Sequence, residues 1–175
     1  LKMFNPYMEV ESYFTKLQFP IMNDCSKFNR PVPYVIINCA MSIDGKIALP
    51  SKKPIKLSSL EDFKRVHELR NYCDGILVGI NTILIDDPKL TIKPEFVIKP
   101  RNPIRIVLDT NGRIPKTAQV FYGDARTIIV IDKKLRADYR ERLRQLIRNK
   151  KRAYLYEYSI SDKLEITDWL EPYLI

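Results

Sequence analysis

Short apolar runs alternate with segments of helical periodicity along most of this chain. Continuous apolar runs predict buried strands at residues 34–39, 75–79, 104–108, 127–131 and 153–156. Between these runs, apolar residues spaced three and four apart predict helices, of which the most basic covers residues 137–149. Strands that alternate with helices indicate an α/β fold with a mainly parallel sheet and helices on its faces.

Serines mark the predicted start of the helix before the second strand. Ser58 is followed three residues later by Glu61, and Ser59 is followed by Asp62, so either serine can cap this helix. Its predicted apolar side consists of Phe63, Val66, Leu69 and Tyr72.

Two further segments flank the alternating strands and helices. Residues 1–33 are predicted to form an N-terminal extension with a short amphipathic helix at residues 10–17, which packs on the main body or on a partner. The proline-rich residues 29–33 then form a stiff connector to the main domain, residues 34–175. Near the other end, Thr167 is a predicted cap for a last amphipathic helix, residues 167–174.

The composition excludes several classes of protein. A chain of 175 residues with 45% apolar residues can bury a hydrophobic core and is not intrinsically disordered. Three cysteines without a CxxC pair, together with a single histidine, predict reduced thiols and no metal site. There is no apolar run long enough to span a bilayer and no secretory signal pattern, so we expect no membrane partner and a cytoplasmic location.

The formal net charge of +9 is concentrated in residues 133–152. This segment holds ten basic residues against Asp138 and Glu141, so it carries +8 of the +9. A nucleic acid, such as RNA, or another polyanion is therefore an alternative partner, and a solvated helix face is the structural interpretation. The basic residues are Lys133, Lys134, Arg136, Arg140, Arg142, Arg144, Arg148, Lys150, Lys151 and Arg152.

A polar turn follows the first predicted strand. Asp44 and Gly45 form its tip, and Lys46 is expected at the edge of the sheet. A lysine at that position can hold a phosphate or hydroxyl group by a charged hydrogen bond. On the sequence alone, a merely structural polar turn is the favoured interpretation.

The helix that ends near residue 72 contains two further candidates. Arg70 can bind a phosphate with its forked guanidinium group, or it can simply complement the helix dipole, and the two interpretations are evenly supported. His67 is interpreted as a surface or packing residue, with a role as catalytic acid as the minor option.

Residues 78–88 combine a strand, a glycine, a short helix and carboxylates. The turn through Gly79 exposes backbone N–H groups, which suit an anionic ligand. Thr82 and Asp86 are four residues apart and share one helical face, where a hydroxyl and a carboxylate suit ribose hydroxyls or amide edges. Alternatively, Asp86 and Asp87 cap the turn before Pro88.

Four motifs in one order resemble the riboflavin-biosynthesis reductases. These are the archaeal 2,5-diamino-6-ribosylamino-4(3H)-pyrimidinone 5′-phosphate reductases and the reductase domain of the bacterial deaminase-reductases. The motifs are MSIDGKIA, VHELR, DGILVGINTILIDDPKLT and RNPIRIVLDTNGRIP, and residues 31–122, about half of the chain, contain them. The resemblance implies a dihydrofolate-reductase-like fold, a twisted and mostly parallel sheet flanked by helices.

The resemblance also implies a reaction and its residues. The family transfers hydride from NADPH to C1′ of the opened ribosylamine of a pyrimidine ribosyl phosphate and so forms the ribityl chain. Lys46 is the implied catalytic residue, and no metal is implied. The positions matching NADPH-binding residues are Ala40, Thr82, Asp86 and Thr110, and those matching substrate-binding residues are Lys46, Arg70, Leu90 and Lys93.

The resemblance also predicts that the domain is truncated at its C-terminus. The family follows its last strand–helix unit with a further strand and a Glu-Gly-Gly-Gly-Thr loop around the cofactor phosphates. The present sequence stops at Ile175, and its five glycines all lie upstream of that position. The missing part also supplies much of a dimer interface in the family, so a homodimer is implied for a complete chain. The alternative function is that of a non-catalytic, truncated reductase scaffold that binds RNA or another polyanion through residues 133–152.

Overall fold

The computed structural model describes residues 35–51 and 57–159. Within these ranges there are three α-helices, α1 (Leu60–Tyr72), α2 (Ile80–Asp86) and α3 (Ala137–Arg148), and two short 3₁₀ helices, Pro94–Phe96 and Gln119–Phe121. The strands are β1 (Gly75–Gly79), β2 (Ile104–Leu108), β3 (Thr127–Asp132) and β4 (Ala153–Tyr158). The predicted helices at residues 10–17 and 167–174, and the boundary at residue 33, lie outside the described residues.

The four strands form one parallel sheet in chain order. β1 pairs with β2, β2 with β3 and β3 with β4, and every pair is parallel. The register places Leu108 opposite Gly79 on one side and opposite Val130 on the other. The carboxyl ends of all four strands therefore meet at one edge of the sheet, and the predicted parallel α/β architecture is confirmed.

Apolar side chains cover both faces of this sheet. Successive residues of a strand point to opposite faces, so β3, whose residues are all buried, contributes to two clusters. On one face Ile129 packs with Ile83 of α2 and Leu143 of α3. On the other face Ile128 packs with Ile106. The described core thus lies on either side of β2 and β3.

Helix α1 begins where the sequence predicts and buries a different face. The Ser59 hydroxyl accepts a hydrogen bond from the Asp62 N–H at 3.2 Å, which identifies the second of the two candidate serines as the cap. Leu69 is buried as expected, but Tyr72 is 59% exposed and His67 is only 2% exposed. The 3₁₀ helix Pro94–Phe96 packs against α1 at His67, and this distant contact decides which face is covered.

Replacing Ser59 with alanine is expected to lower the free energy of unfolding by about 1 kcal/mol, because an N–H at the start of α1 loses its acceptor. Urea unfolding of the 175-residue chain measures this change. Ser59→Asn keeps a side-chain acceptor and is expected to stay within about 0.5 kcal/mol of the native chain. An alanine variant as stable as the asparagine variant would show that the cap contributes nothing.

The prediction of a buried strand at residues 34–39 is wrong. The described part of this run, from Val35 onward, has no strand, and Val35 and Ile37 are 63% and 88% exposed. A strand is buried only when a neighbouring strand pairs with its backbone. Within the described residues, the edge strand β1 pairs with β2 alone. An apolar run indicates that a segment suits a strand, and it carries no information about whether a partner is present.

Candidate active site

The turn that follows β2 is held by a buried carboxylate. Asp109 is fully buried, and its two oxygens accept hydrogen bonds from the N–H groups of Arg113 and Ile114, both at 2.8 Å. The turn passes through Gly112, which has a φ of +64°. A glycine is suited to this position because side chains disfavour positive φ. The carboxylate and the glycine together fix residues 109–114 at the carboxyl edge of the sheet.

Two hydroxyl groups meet at this edge. Thr110 Oγ1 and Tyr158 Oη are 3.3 Å apart, and they come from the segments that follow β2 and end β4. The Lys133 N–H donates to the Tyr158 carbonyl at 2.6 Å, which ties the end of β4 to the end of β3. Thr110 was predicted as a site residue and Tyr158 was not, because no local pattern relates residues 48 positions apart.

Helix α2 brings a second threonine to the same edge. Thr82 lies in its first turn, directly after β1, and is half-buried. Arg113 Nη2 donates to Asn81 Oδ1 at 3.0 Å, which joins the start of α2 to the turn after β2. Asp86 ends α2 and is exposed. The structure therefore brings Thr82 and Thr110 to neighbouring strand ends and places Asp86 at the opposite end of α2.

Asp87 has a structural role, but its carboxylate does not cap the turn before Pro88 as the alternative interpretation expected. It is the C-cap that follows α2. It adopts the left-handed conformation, with a φ of +39°, and its N–H donates to the Ile83 carbonyl. Its carboxylate accepts a hydrogen bond from the Gln119 N–H at 2.8 Å. Asp87 thus closes the helix and fastens it to the second 3₁₀ helix.

The carboxyl edge is also cationic. Arg113 follows β2, and Lys133 and Lys134 follow β3, and all three residues are exposed. The Lys134 N–H donates to Asp132 Oδ1 at 2.8 Å, so the turn after β3 is itself held by a carboxylate. Hydroxyl groups beside exposed cations suit a ligand that carries both ribose and phosphate groups.

The structure groups two other predicted residues beside α1. Arg70 Nη1 donates to the Thr91 carbonyl at 3.3 Å, and burial lowers the pKa of the Arg70 guanidinium. The Lys93 N–H donates to His67 Nδ1 at 3.1 Å, and Lys93 Nζ lies 5.1 Å from the centre of the Phe63 ring. Arg70 and Lys93 are thus brought together by contacts between α1 and residues 91–93.

Leu90 has a different environment from the other predicted substrate residues. Its side chain is 4% exposed and packs in the core cluster with Ile80 and Ile83. Its backbone has a φ of +53°, in the left-handed region. Only the backbone of Leu90 is therefore suited to contact a ligand.

Ala40 and Lys46 lie on an exposed segment, residues 35–51. Gly45 N–H donates to the Ser42 carbonyl at 2.9 Å, which confirms the predicted tight turn. Lys46 Nζ is 3.6 Å from Asp44 Oδ2, and both side chains are largely exposed. A hydrogen bond from the Ser42 hydroxyl lowers the pKa of the Asp44 carboxyl. In the described parts of the chain, no hydrogen bond or ion pair joins Lys46 to Thr110 or to Arg70.

Part of the basic segment is engaged within the fold. Arg140 and Arg144 both bind the Glu157 carboxylate, with nitrogen–oxygen distances of 3.4 and 2.7 Å. Arg142 donates to the Gly112 carbonyl. At least two arginines of the basic segment therefore bind a residue of β4. The polyanion alternative stays a prediction, and these contacts weaken it.

A cavity of about 300 Å³ lies at the other edge of the sheet, where β2 and β3 begin. None of the predicted site residues line it, although it adjoins the Arg70 group through Thr91, whose carbonyl accepts from Arg70. No three His, Cys, Asp or Glu residues within the described ranges are placed to hold a metal ion, and Cys39 and Cys73 are free thiols. No helix in those ranges has the length and apolarity to cross a membrane. The cavity is lined by Lys89, Thr91, Ile92, Asn102, Gln119, Tyr122, Gly123 and Asp124.

Comparison with known proteins gives a consistent family. The family model of the RibD C-terminal domain matches residues 33–171. Over 97 residues the chain is 47% identical to the 2,5-diamino-6-ribosylamino-4(3H)-pyrimidinone 5′-phosphate reductase of Methanothermobacter thermautotrophicus, covering 55% of this chain and 44% of that protein. The reductase of the same name from Archaeoglobus fulgidus is 41% identical over 108 residues, or 58% of this chain and 49% of that protein.

A bacterial relative is also similar, but the match covers a smaller share of that relative. The riboflavin biosynthesis protein RibD of Aquifex aeolicus is 37% identical over 102 residues, which cover 58% of this chain and 28% of that protein. The chain thus spans about half the length, or less, of these relatives.

Proposed function

Since the chain belongs to the RibD C-terminal domain family, we propose that it reduces the ribosylamino side chain of a pyrimidinone 5′-phosphate with NADPH in riboflavin biosynthesis. Two of its relatives are named as reductases of that pyrimidinone phosphate. The structural observation that carries the proposal is the hydroxyl pair of Thr110 and Tyr158 at the carboxyl edge of the sheet. Open parallel sheets bind ligands at this edge.

The residues at the carboxyl edge fit NADPH. The hydroxyl groups of Thr82 and Thr110 suit ribose oxygens, and the exposed guanidinium group of Arg113 suits a phosphate. Ala40 and Asp86 complete the proposed cofactor residues. When bound, NADPH supplies the hydride, and the contribution of these side chains is to bind and orient the nicotinamide against the substrate.

Arg70 and Lys93 are the proposed ligands of the substrate phosphate. Arg70 is half-buried, and its Nε–H has no hydrogen-bond partner among the described residues. A buried guanidinium N–H without a partner is costly, and a phosphate oxygen would satisfy it. The Leu90 backbone and Lys46 complete the proposed substrate residues, with Lys46 as the catalytic candidate. A homodimer and a cytoplasmic location are parts of the same proposal.

Thr110→Val is expected to weaken NADPH binding about fivefold to tenfold, because the variant keeps the shape of threonine and loses one hydrogen bond to the ligand. Isothermal titration calorimetry of the 175-residue chain measures this change. Thr117→Val, at an exposed position in the β2–β3 connection, is the matched control and is expected to bind like the native chain. Equal affinities for the two variants would remove Thr110 from the cofactor site.

The same titrations test the proposal as a whole. Saturable NADPH binding is expected at micromolar concentrations, as is usual for cofactor and substrate sites. A short RNA, titrated at two salt concentrations, provides the competing arm, because binding to a polyanion weakens steeply with salt. Salt-sensitive RNA binding without NADPH binding would overturn the proposal in favour of the basic segment.

A further inference from the structure

His67 is a buried histidine enclosed by two aromatic rings. It is 2% exposed, which agrees with the packing interpretation and excludes the surface one. Its ring centre lies 4.8 Å from that of Phe63, in an edge-to-face arrangement, and 5.4 Å from that of Phe96. Phe63 belongs to α1 and Phe96 to the 3₁₀ helix that packs on it. His67 therefore lies at the contact between these two elements.

One nitrogen of His67 binds the backbone of a proposed substrate residue. Nδ1 accepts a hydrogen bond from the Lys93 N–H at 3.1 Å. An acceptor nitrogen carries no proton, so the neutral ring has its proton on Nε2. The Nε2–H has no hydrogen-bond partner among the described residues. The neutral tautomer of His67 is thus fixed by Lys93.

The Lys93 side chain is held by the same group of rings. Its Nζ lies 5.1 Å from the centre of the Phe63 ring and 5.6 Å from that of the Phe96 ring. Glu95 Oε1 is 4.0 Å from the same nitrogen. The Lys93 side chain remains 52% exposed and so is accessible to a ligand. Both the backbone and the side chain of Lys93 are therefore placed by contacts around His67.

The charges around His67 favour its neutral form. Arg70 and Glu68 share helix α1 with it, and Lys93 and Glu95 face it from the adjoining segment. Burial is the largest effect that lowers the pKa of His67, and Arg70 and Lys93 lower it further, whereas Glu95 opposes them. The imidazole ring is therefore neutral at pH 7, and it accepts a proton only in more acidic solution.

We propose that His67 is a positioning residue that holds Lys93 for the substrate phosphate, and that protonation of Nδ1 releases Lys93 from this position. The inference rests on the proposed function, since it takes Lys93 as a phosphate ligand. A protonated Nδ1 donates and cannot accept, so it would face the Lys93 N–H as a second donor. Because the pKa of His67 is lowered, phosphate binding is expected to weaken only at a pH more acidic than the ordinary histidine pKa of about 6.5.

Ribose 5-phosphate is the probe for this inference, titrated by calorimetry between pH 5.5 and 8.0. His67→Asn places an amide oxygen where Nδ1 lies and cannot titrate, whereas His67→Leu has no acceptor. At pH 7.5 the leucine variant is expected to bind about tenfold more weakly than the native chain, and the asparagine variant within about threefold. Between pH 7.5 and 5.5 the native chain is expected to lose more affinity than the asparagine variant, with most of the difference at the acid end of this range.

Comparison with the asparagine variant corrects for the titration of the ligand. The phosphate group of ribose 5-phosphate titrates near pH 6, and this affects its binding to both chains equally. Two further variants, Arg70→Ala and Lys93→Ala, distinguish the inference from the function on which it rests. If neither changes the affinity, the assignment of the substrate phosphate fails. If both weaken binding while the native and asparagine chains show the same pH profile, the role of His67 alone is overturned.

Discussion

Replacing Arg105 with lysine is expected to lower the free energy of unfolding by about 3 kcal/mol, more than the apolar change to methionine at the same position. Arg105 is 1% exposed, and its guanidinium group donates to the carbonyls of Lys89, Tyr122 and Ala125 at 3.3, 3.0 and 2.5 Å. A lysine keeps the buried positive charge, but its single ammonium group cannot reach three carbonyls in a fork.

Methionine removes the charge together with the hydrogen bonds. Burial lowers the pKa of Arg105 to about 10, so the charged form is disfavoured at this position even though it persists at neutral pH. The hydrogen bonds to the Lys89 and Tyr122 carbonyls are only partly buried, so water can replace them, whereas the hydrogen bond to the Ala125 carbonyl is buried. We therefore expect Arg105→Met to lose only about 1–2 kcal/mol, chiefly for the Ala125 carbonyl.

Urea unfolding of the full chain measures the free energy of unfolding of each variant. Arg101→Lys is the matched control, because Arg101 is exposed and its ion pair with Asp74, at 3.0 Å, contributes little. It is expected to remain within about 0.5 kcal/mol of the native chain. If Arg105→Lys proved as stable as this control, the three carbonyl contacts would not hold the segments around residues 89 and 122–125.

The sequence predicted the strands of the described sheet well because polar residues, glycine and proline mark their ends. The prediction for β1 and β2 agrees with the structure at both ends. β1 is a short apolar run that follows Asp74 and ends at Gly79, and β2 lies between Pro103 and Asp109. Helix α3 ends one residue earlier than predicted, and β4 runs two residues further, to Tyr158. These small differences fall at the ends of elements, where local signals are weakest.

The errors have a different origin, since they depend on partners distant in the sequence. Residues 34–39 have the composition of a strand but no partner in the described sheet. Arg105 stands within the apolar run IRIVL, and nothing local indicates that it binds carbonyls 16 to 20 residues away. The sequence left His67 as either a surface or a packing residue, and the choice depends on Phe96, which belongs to a separate element. Periodicity identifies elements and cannot identify these contacts.

The candidate site was predictable in part, and for two separate reasons. Thr82 and Thr110 follow neighbouring strands, so a parallel sheet necessarily brings them to one edge. Arg70 and Lys93 were matched by resemblance, and the structure places them beside each other through Thr91 and His67. Tyr158 could not be found in this way, because its contact with Thr110 crosses β3.

Replacing Asp109 with alanine is expected to lower the free energy of unfolding by about 3 kcal/mol and to weaken NADPH binding by the chains that remain folded. The carboxylate is fully buried, and each oxygen accepts one backbone N–H of the following turn. Ile114, one of the two donors, is itself fully buried, so water cannot replace the lost acceptor.

The effect on binding follows from what this turn carries. Thr110 and Arg113 both lie within residues 109–114, and the turn has little freedom to adjust, since a Cβ on Gly112 would lie 3.1 Å from Leu135 Cδ2. Without the carboxylate, the Thr110 hydroxyl is no longer held beside Tyr158. We expect the NADPH affinity to fall by about tenfold, measured by calorimetry under conditions in which the variant is folded.

Two further variants serve as controls. One tests whether the effect of Asp109→Ala comes from the lost acceptor atoms or from the lost charge, and the other tests whether the loss of any acidic residue has the same effect. Asp109→Asn keeps one acceptor but turns an NH₂ group toward the other N–H, so it is expected to be nearly as harmful as alanine. Asp138→Ala removes an exposed carboxylate, paired with Arg136 at 3.1 Å, and is expected to change neither property by more than about 0.5 kcal/mol. If Asp109→Ala lost stability but bound NADPH with native affinity, residues 109–114 would support the fold alone, and the cofactor site would have to lie elsewhere on the sheet.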